Sequence, residues 1–184
     1  LIRAIAASRA YNLTSKQTHE SQSDPRRFAR MPVRGLTADQ IYDSFLAATG
    51  ARDQGPRNQR FFNPQDTAGR GAFRNLFPRA AVKTTESQTS ILQSLMLMNG
   101  RQVTDQTSLA SSDVLAAVAD APFLDTEGRV EALFLAALTR QPTPAEHDQY
   151  ASYVERGGPS GDKKKALADV FWVLLNSTEF LFNH

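Results

Sequence analysis

The chain has 184 residues, of which 41% are hydrophobic and 22% charged, a balance typical of a folded globular domain. It contains no cysteine, which excludes disulfides, thiolate zinc sites and haem attachment through CxxCH. The net charge is +2, but residues 1–80 carry 13 basic and six acidic side chains, a local net charge of +7. This asymmetry indicates an anionic partner for the first part, attraction between the two parts of the chain, or contact of the first part with an acidic domain outside this chain.

The first ten residues have the spacing of a helix, with Ile2, Ile5 and Ala6 on one face and no capping residue before them. The chain also begins with Leu1 rather than Met. We therefore expect a helix that continues from a preceding segment, so that the chain is a fragment of a longer protein. After a polar and then a basic loop, the capping box Thr37-x-x-Gln40 predicts a helix that ends at Gly50.

Residues 51–84, here called the arginine–phenylalanine segment, show neither helical nor alternating periodicity, and they are too many for an ordinary connection. Their phenylalanines predict an ordered, irregular structure. Arginine binds phosphate, sulfate and carboxylate bidentately, and aromatic rings stack on bases and sugars. The candidate ligand-binding residues are therefore Arg57, Arg60, Phe61, Phe62, Arg70, Phe73 and Arg74, and the preceding Arg26, Arg27, Arg30 and Arg34 extend the patch. In the alternative interpretation, the phenylalanines are core and the arginines pair with acids of the C-terminal helices.

From Thr85 onward the chain reads as a series of capped amphipathic helices, predicted at about 85–100, 103–109, 113–119, 125–139, 144–156, 163–176 and 177–182. Thr143 and Ser177 are the predicted N-caps of the helix at 144–156 and of the final turn. Asp162 caps the last long helix, although Lys163, Lys164 and Lys165 follow in a first turn where the helix dipole disfavours cations. These lysines indicate a solvated helix end or, alternatively, a contact with an acidic partner. Residues 165–184 form the most apolar segment and are predicted to lie in the core.

No strand pattern is convincing, so the predicted fold is all-α: an irregular bundle of about six to eight helices, with long ordered loops in the N-terminal half. Residues 1–184 are predicted to form a single C-terminal helical domain. No apolar stretch reaches the roughly 18 to 20 residues that span a bilayer.

Catalytic motifs are missing from the sequence. His19, His147 and His184 have no metal-binding spacing, and there is no nucleophile elbow or phosphate-binding glycine loop. Asp39 and Asp43 are four residues apart on one predicted helix, so the two carboxylates can approach each other to share a proton or bind a metal. The alternative is a solvated helix face. We expect no cofactor in this chain.

Several stretches together resemble the C-terminal part of a planctomycete-type family catalogued as domain of unknown function 1553. They are SRAYNLTS at 8–15, RFARMPVRGLTADQIYDSF at 27–45, ESQTSILQSLMLMNG at 86–100, RVEALFLAALTRQPTPAE at 129–146 and ALADVFWVLLNSTEFLFNH at 166–184. The resemblance lies in their order and spacing. It implies a large extracytoplasmic or periplasmic protein of the cell envelope, with a second uncharacterised domain and often a cytochrome-c-like domain upstream.

Three functional hypotheses follow. The first is a non-catalytic structural or interaction module that docks on upstream domains of its own chain. The second is a surface that binds acidic or sulfated polysaccharide, ahead of nucleic acid, through the arginine–phenylalanine segment. The third is a contribution to an enzyme site shared with upstream domains, for which the sequence offers no nucleophile, metal set or acid–base pair.

Overall fold

The computed structural model of the chain describes residues 1–31, 33–51, 70 and 107–183, without the side chains of Pro25, Arg34 and Asn183. Within these residues there are seven α-helices: α1 Ile2–Ala6, α2 Ala38–Thr49, α3 Asp113–Asp120, α4 Thr126–Leu138, α5 Pro144–Glu155, α6 Lys163–Leu175 and α7 Thr178–Leu181. Short 3-10 turns lie at Glu20–Gln22, Pro25–Arg27 and Gly158–Ser160. The predicted all-α bundle is confirmed.

Side-chain caps fix where helices α2 to α7 begin, and most of these caps were predicted, whereas α1 has no side-chain cap. Thr37 and Thr143 form complete capping boxes with Gln40 and Glu146. The other caps are Ser112 on α3, Asp125 on α4, Asp162 on α6 and Ser177 on α7. Each supplies an oxygen to an otherwise unpaired amide of the first turn, which is why the helix starts agree with the sequence. The helix predicted at 85–100 and most of the one predicted at 103–109 lie outside the described residues.

Helix α6 lies in the middle of the core, as its apolar sequence predicts. It packs on α3, α4 and α5, while α2 packs on α3 and α4. The buried side chains of α6 are Ala166, Leu167, Val170, Phe171, Leu174 and Leu175. They meet Leu115 of α3 and Val130, Leu133 and Phe134 of α4, all of which are fully buried. The apolar area removed from water here is the main stabilising contribution to the fold.

A short antiparallel pair ties the segment before α2 to the end of the chain. Strand β1, Arg34–Gly35, pairs with β2, Phe182–Asn183, and the amide of Leu36 donates to the carbonyl of Leu181 at 2.9 Å. The sequence predicted no strand here, because two residues are too few to show an alternating pattern. The pair holds residues 34–36 against the C-terminal turn.

The N-terminal residues make few contacts with this core. The helix predicted over 1–10 ends at Ala6, and it buries none of its residues. Ser8 Oγ donates to the carbonyl of Ile5 at 2.8 Å, and Asn12 Nδ2 donates to that of Ala6 at 2.7 Å. These side chains take carbonyls that a continuing helix would use, which accounts for the early end of α1.

The three lysines at the start of α6 are solvent-exposed, as predicted, but two of them have partners within the chain. Lys164 Nζ lies 2.6 Å from Asp120 Oδ1 of α3, and Lys163 forms an ion pair with Glu155 of α5. These pairs offset the unfavourable helix dipole. No helix in the described parts of the chain is long and apolar enough to cross a membrane.

Candidate functional site

Arg70 is the one predicted ligand-binding residue that the structure describes; Arg57, Arg60, Phe61, Phe62, Phe73 and Arg74 lie outside the described residues. Its guanidinium lies over one face of α2. Nη1 is 3.3 Å from Asp39 Oδ1, and Nη2 forms an ion pair with Asp43. The central guanidinium carbon is 4.8 Å from the centre of the Tyr42 ring, a cation–π geometry.

The structure thus brings together two features that the sequence suggested separately. Asp39 and Asp43 do share a helix face, and the group between them is an arginine of the same chain. The hydrogen bonds that Arg70 donates to Asp43, and secondarily the charge of that carboxylate and the contact with Asp39, raise the pKa of Arg70 above its ordinary value. Arg70 therefore pairs with acids, as the alternative interpretation held, but with acids of α2 rather than of the C-terminal helices. The ligand-binding role of the seven residues stays a prediction.

The described arginine side chains of the basic stretch before α2 are of two kinds, and the side chain of Arg34 lies outside the described residues. Arg30 is half-buried, and its Nε donates to the carbonyl of Gln22 at 3.1 Å and its Nη1 to that of Ser15 at 3.2 Å. Arg26 and Arg27 are solvent-exposed on the turn Pro25–Arg27. Only the second kind is free to meet an external anion.

A charged cluster around Arg140 was not anticipated from the sequence. Arg140 lies just after α4 and binds both oxygens of Glu179 in α7, at 2.5 and 2.7 Å, and both of Glu146 in α5, at 2.9 Å each. Its guanidinium also lies 5.4 Å from the centre of the Phe134 ring. The only sequence signal was the capping-box Glu146, since Glu179 is 39 residues away from Arg140.

The Arg140 cluster has strong electrostatic consequences. The hydrogen bond from Arg140, reinforced by the backbone and hydroxyl of Thr143, lowers the pKa of Glu146 to about 2 against the opposing effect of its burial. The two carboxylates in turn raise the pKa of Arg140 well above its ordinary value. All three groups are about one-third exposed or less, so water screens the cluster only in part. The arrangement connects α4, α5 and α7, and we assign it a structural role.

An open cleft of about 430 Å³ lies between the start of α4 and the outer face of α5. It is lined by acidic residues and by residues with small side chains: Asp125, Thr126, Glu127, Asp148, Ala151, Ser152 and Glu155. Two of its carboxylates have structural partners, because Asp125 caps the amide of Gly128 at 2.8 Å and Glu155 bonds Thr126 and Lys163. Within the described ranges, no group of three or more histidine, cysteine or acidic residues is arranged to hold a metal ion.

The histidines do not converge where they are described. His19 caps the turn Glu20–Gln22, its Nδ1 accepting from the amide of Ser21 at 3.1 Å. His147 lies in α5 and is partly exposed, and His184 falls outside the described residues.

Comparison with known proteins gives a family match. The model of a family described as "Protein of unknown function (DUF1553)" matches residues 1–75 and 69–154, in agreement with the resemblance noted in the sequence. No curated protein matches the chain, and no solved structure does.

Proposed function

Because the chain belongs to the DUF1553 family of proteins of unknown function, we propose a function from its own surfaces: a non-catalytic interaction module of a larger extracytoplasmic protein. In this proposal residues 1–13, here called the apolar arm, dock on upstream domains of the same chain. The extracytoplasmic setting and the upstream domains rest on what the family resemblance implies.

The observation that carries the proposal is the exposure of the apolar arm. Ile2 is 84% exposed and Ile5 is 50% exposed, and none of the residues of α1 is buried. Leu1, Tyr11 and Leu13 are also exposed. Single exposed apolar residues are common, but five within 13 residues are typical of an interaction surface.

The energetics of α1 support the same interpretation. A helix of five residues is unstable in water by itself, because its nucleation costs more than its few hydrogen bonds return. Helices of this kind are usually stabilised by burying an apolar face. The arm finds no such burial on the described core, whereas α6 buries six of its 13 residues there. A partner surface that covers Ile2 and Ile5 would supply it.

A partner in the same chain suits an arm of this size. Its apolar surface is small compared with a stable interface between separate proteins. Covalent linkage makes docking intramolecular and raises the effective concentration, so a small contact suffices. The far end of the arm is fastened to the module, since the amide of Met31 donates to the carbonyl of Thr14 at 3.1 Å and β1 pairs with β2 beyond it.

The proposal is tested by hydrogen–deuterium exchange on the full-length protein and on the 184-residue chain. Amides of residues 2–13 are expected to exchange rapidly in the isolated chain and at least about tenfold more slowly in the full-length protein. Amides of α4, buried in the core of both, serve as the internal reference. Equal exchange of the arm in the two proteins would overturn the proposal.

A matched pair of variants identifies the contact. Ile2→Ser/Ile5→Ser in the full-length protein should abolish the protection of the arm. Leu135→Ser/Val173→Ser changes two apolar side chains that are exposed on α4 and α6, outside the arm, and should leave its protection intact. Loss of protection in both variants would indicate a general loosening of the fold instead of a specific contact.

A further inference from the structure

Residues 15–30 form a closed surface loop that the proposed docking does not use. Arg30 joins the two ends of this loop through its 3.2 Å hydrogen bond to the carbonyl of Ser15, and it reaches the middle through its 3.1 Å bond to Gln22. Next to it, the amide of Met31 donates to the carbonyl of Thr14 at 3.1 Å. Compact loops whose ends meet in this way are frequently functional.

The interior of the loop is held by a second layer of hydrogen bonds. Gln22 Oε1 accepts from the amides of Thr18 and His19 at 2.8 and 3.2 Å. The amide of Arg26 donates to Asp24 Oδ1 at 3.0 Å. The amide of Arg27 donates to the backbone carbonyl of Asp24 at 3.1 Å. The backbone that presents Arg26 and Arg27 is therefore ordered before any ligand binds, which lowers the entropic cost of binding.

Residues 26–28 of the loop combine two cations and one aromatic ring. Arg26 and Arg27 are solvent-exposed, and neither forms an ion pair with another described residue. Phe28 follows them and is 80% exposed. Its φ of 49° lies in the left-handed region, which is uncommon for a bulky residue and is often found where binding residues are held in position.

We propose that Arg26, Arg27 and Phe28 form a binding site for a sulfated polysaccharide. Guanidinium groups bind sulfate oxygens through paired hydrogen bonds, and a phenylalanine ring packs on the apolar C–H face of a sugar. The loop stays positively charged, because its two acidic residues are outnumbered by four basic ones. The acidic residues are Glu20 and Asp24, and the basic residues are Lys16, Arg26, Arg27 and Arg30. The net charge of +7 over residues 1–80 also attracts an anionic polymer.

A sugar polymer fits this surface better than a single-stranded nucleic acid does. Proteins that bind single strands follow the phosphate backbone with a basic groove and stack successive bases on several aromatic rings. The loop presents one ring and two free guanidinium groups, which matches one sugar unit with one or two sulfate groups.

The test is a titration of the 184-residue chain with dextran sulfate, followed at several salt concentrations. Arg26→Gln/Arg27→Gln is expected to weaken binding at least about tenfold. Charge-assisted hydrogen bonds contribute more than neutral ones, and a tenfold change in Kd corresponds to only about 1.4 kcal/mol. Phe28→Ala should weaken it about threefold or more. Circular dichroism confirms that the variants remain folded.

The control variant also removes two positive charges, but from a different part of the chain. Arg156→Gln/Lys165→Gln neutralises two exposed cations of the C-terminal part, and it should change the affinity less than twofold. Equal losses in the two double variants would overturn the proposal in favour of nonspecific attraction by net charge. The proposal would also fail if Arg57→Gln/Arg60→Gln abolished binding while the loop variants retained it, or if poly(U) bound more tightly than dextran sulfate.

Discussion

At the scale of single residues, Arg70 shows how one side chain resolves two ambiguous sequence signals. The carboxylates of Asp39 and Asp43 would repel each other across one turn of α2, and the guanidinium between them removes that repulsion. The ring of Tyr42 packs against one face of the guanidinium and partly shields it from water. Arg70 is thereby committed to α2, and an external anion would have to compete with two carboxylates for it.

A double-mutant cycle on Arg70 and Asp43 measures this commitment. Because Asp43 is 61% exposed, solvent screening keeps the coupling free energy modest, and we expect about 0.5 kcal/mol in favour of the pair. Arg70→Gln, Asp43→Asn and the double variant are compared by urea unfolding at low ionic strength. The same cycle on Arg70 and Asp148, which lies on α5, is the control and should give no coupling. A coupling of zero for Arg70 and Asp43 would show that the arginine contributes nothing to the stability of this face.

At the scale of elements, α4 ends at a residue whose backbone conformation is unfavourable, whereas helices α2 to α7 begin at favourable side-chain caps. The C-cap Thr139 has a φ of 55°, and its amide donates to the carbonyl of Leu135 at 3.1 Å. A left-handed residue at this place is a common way to end a helix, but the residue is usually glycine. A β-branched side chain is strained in this conformation.

Thr139→Gly should therefore stabilise the protein. Relief of the strain is partly offset by the greater entropy of glycine in the unfolded chain, so we expect a gain of about 0.5–1 kcal/mol, or a Tm higher by about 1–4 °C. Thr139→Ala is the matched control, because it removes the same exposed side chain yet keeps a Cβ and hence most of the strain. An equal gain in both variants would assign the effect to the threonine side chain rather than to the backbone.

The same elements show what the sequence can and cannot predict. Thr37, Thr143, Asp162 and Ser177 mark helix starts because a cap acts within three residues, and such signals are visible in a linear chain. The ion pair of Arg140 with Glu179 and the pairing of Gly35 with Phe182 join residues far apart. The loop closed by Arg30 depends on backbone carbonyls, which every residue has. No spacing rule anticipates contacts of these kinds.

At the scale of the whole molecule, carboxylates hold the outer connections between helices. Glu179 and Glu146 bind Arg140 between α4, α5 and α7, and Asp120 binds Lys164 between α3 and α6. The ammonium group of Lys164 likewise lowers the pKa of Asp120. Such contacts exist only while the carboxylates are ionised, so the assembly of helices around α6 should weaken in acid.

The direction of this acid effect follows from Glu146. Its pKa is lowered to about 2 in the folded protein from an ordinary value of 4.5, so the unfolded chain binds its proton first as the pH falls. The stabilisation is fully present above about pH 5 and is lost progressively as the pH falls toward 2. The free energy of unfolding, measured by urea titration with the fluorescence of Trp172, the single tryptophan, should decrease across this window.

Glu146→Gln should be less stable at pH 7 and show a shallower decrease, because glutamine cannot titrate. Glu127→Gln, an exposed change on α4, should retain the slope of the unmodified protein. If Glu146→Gln kept that slope as well, the acid sensitivity of the fold would have to come from the other carboxylates, and the Arg140 cluster would not be the connection that acid breaks.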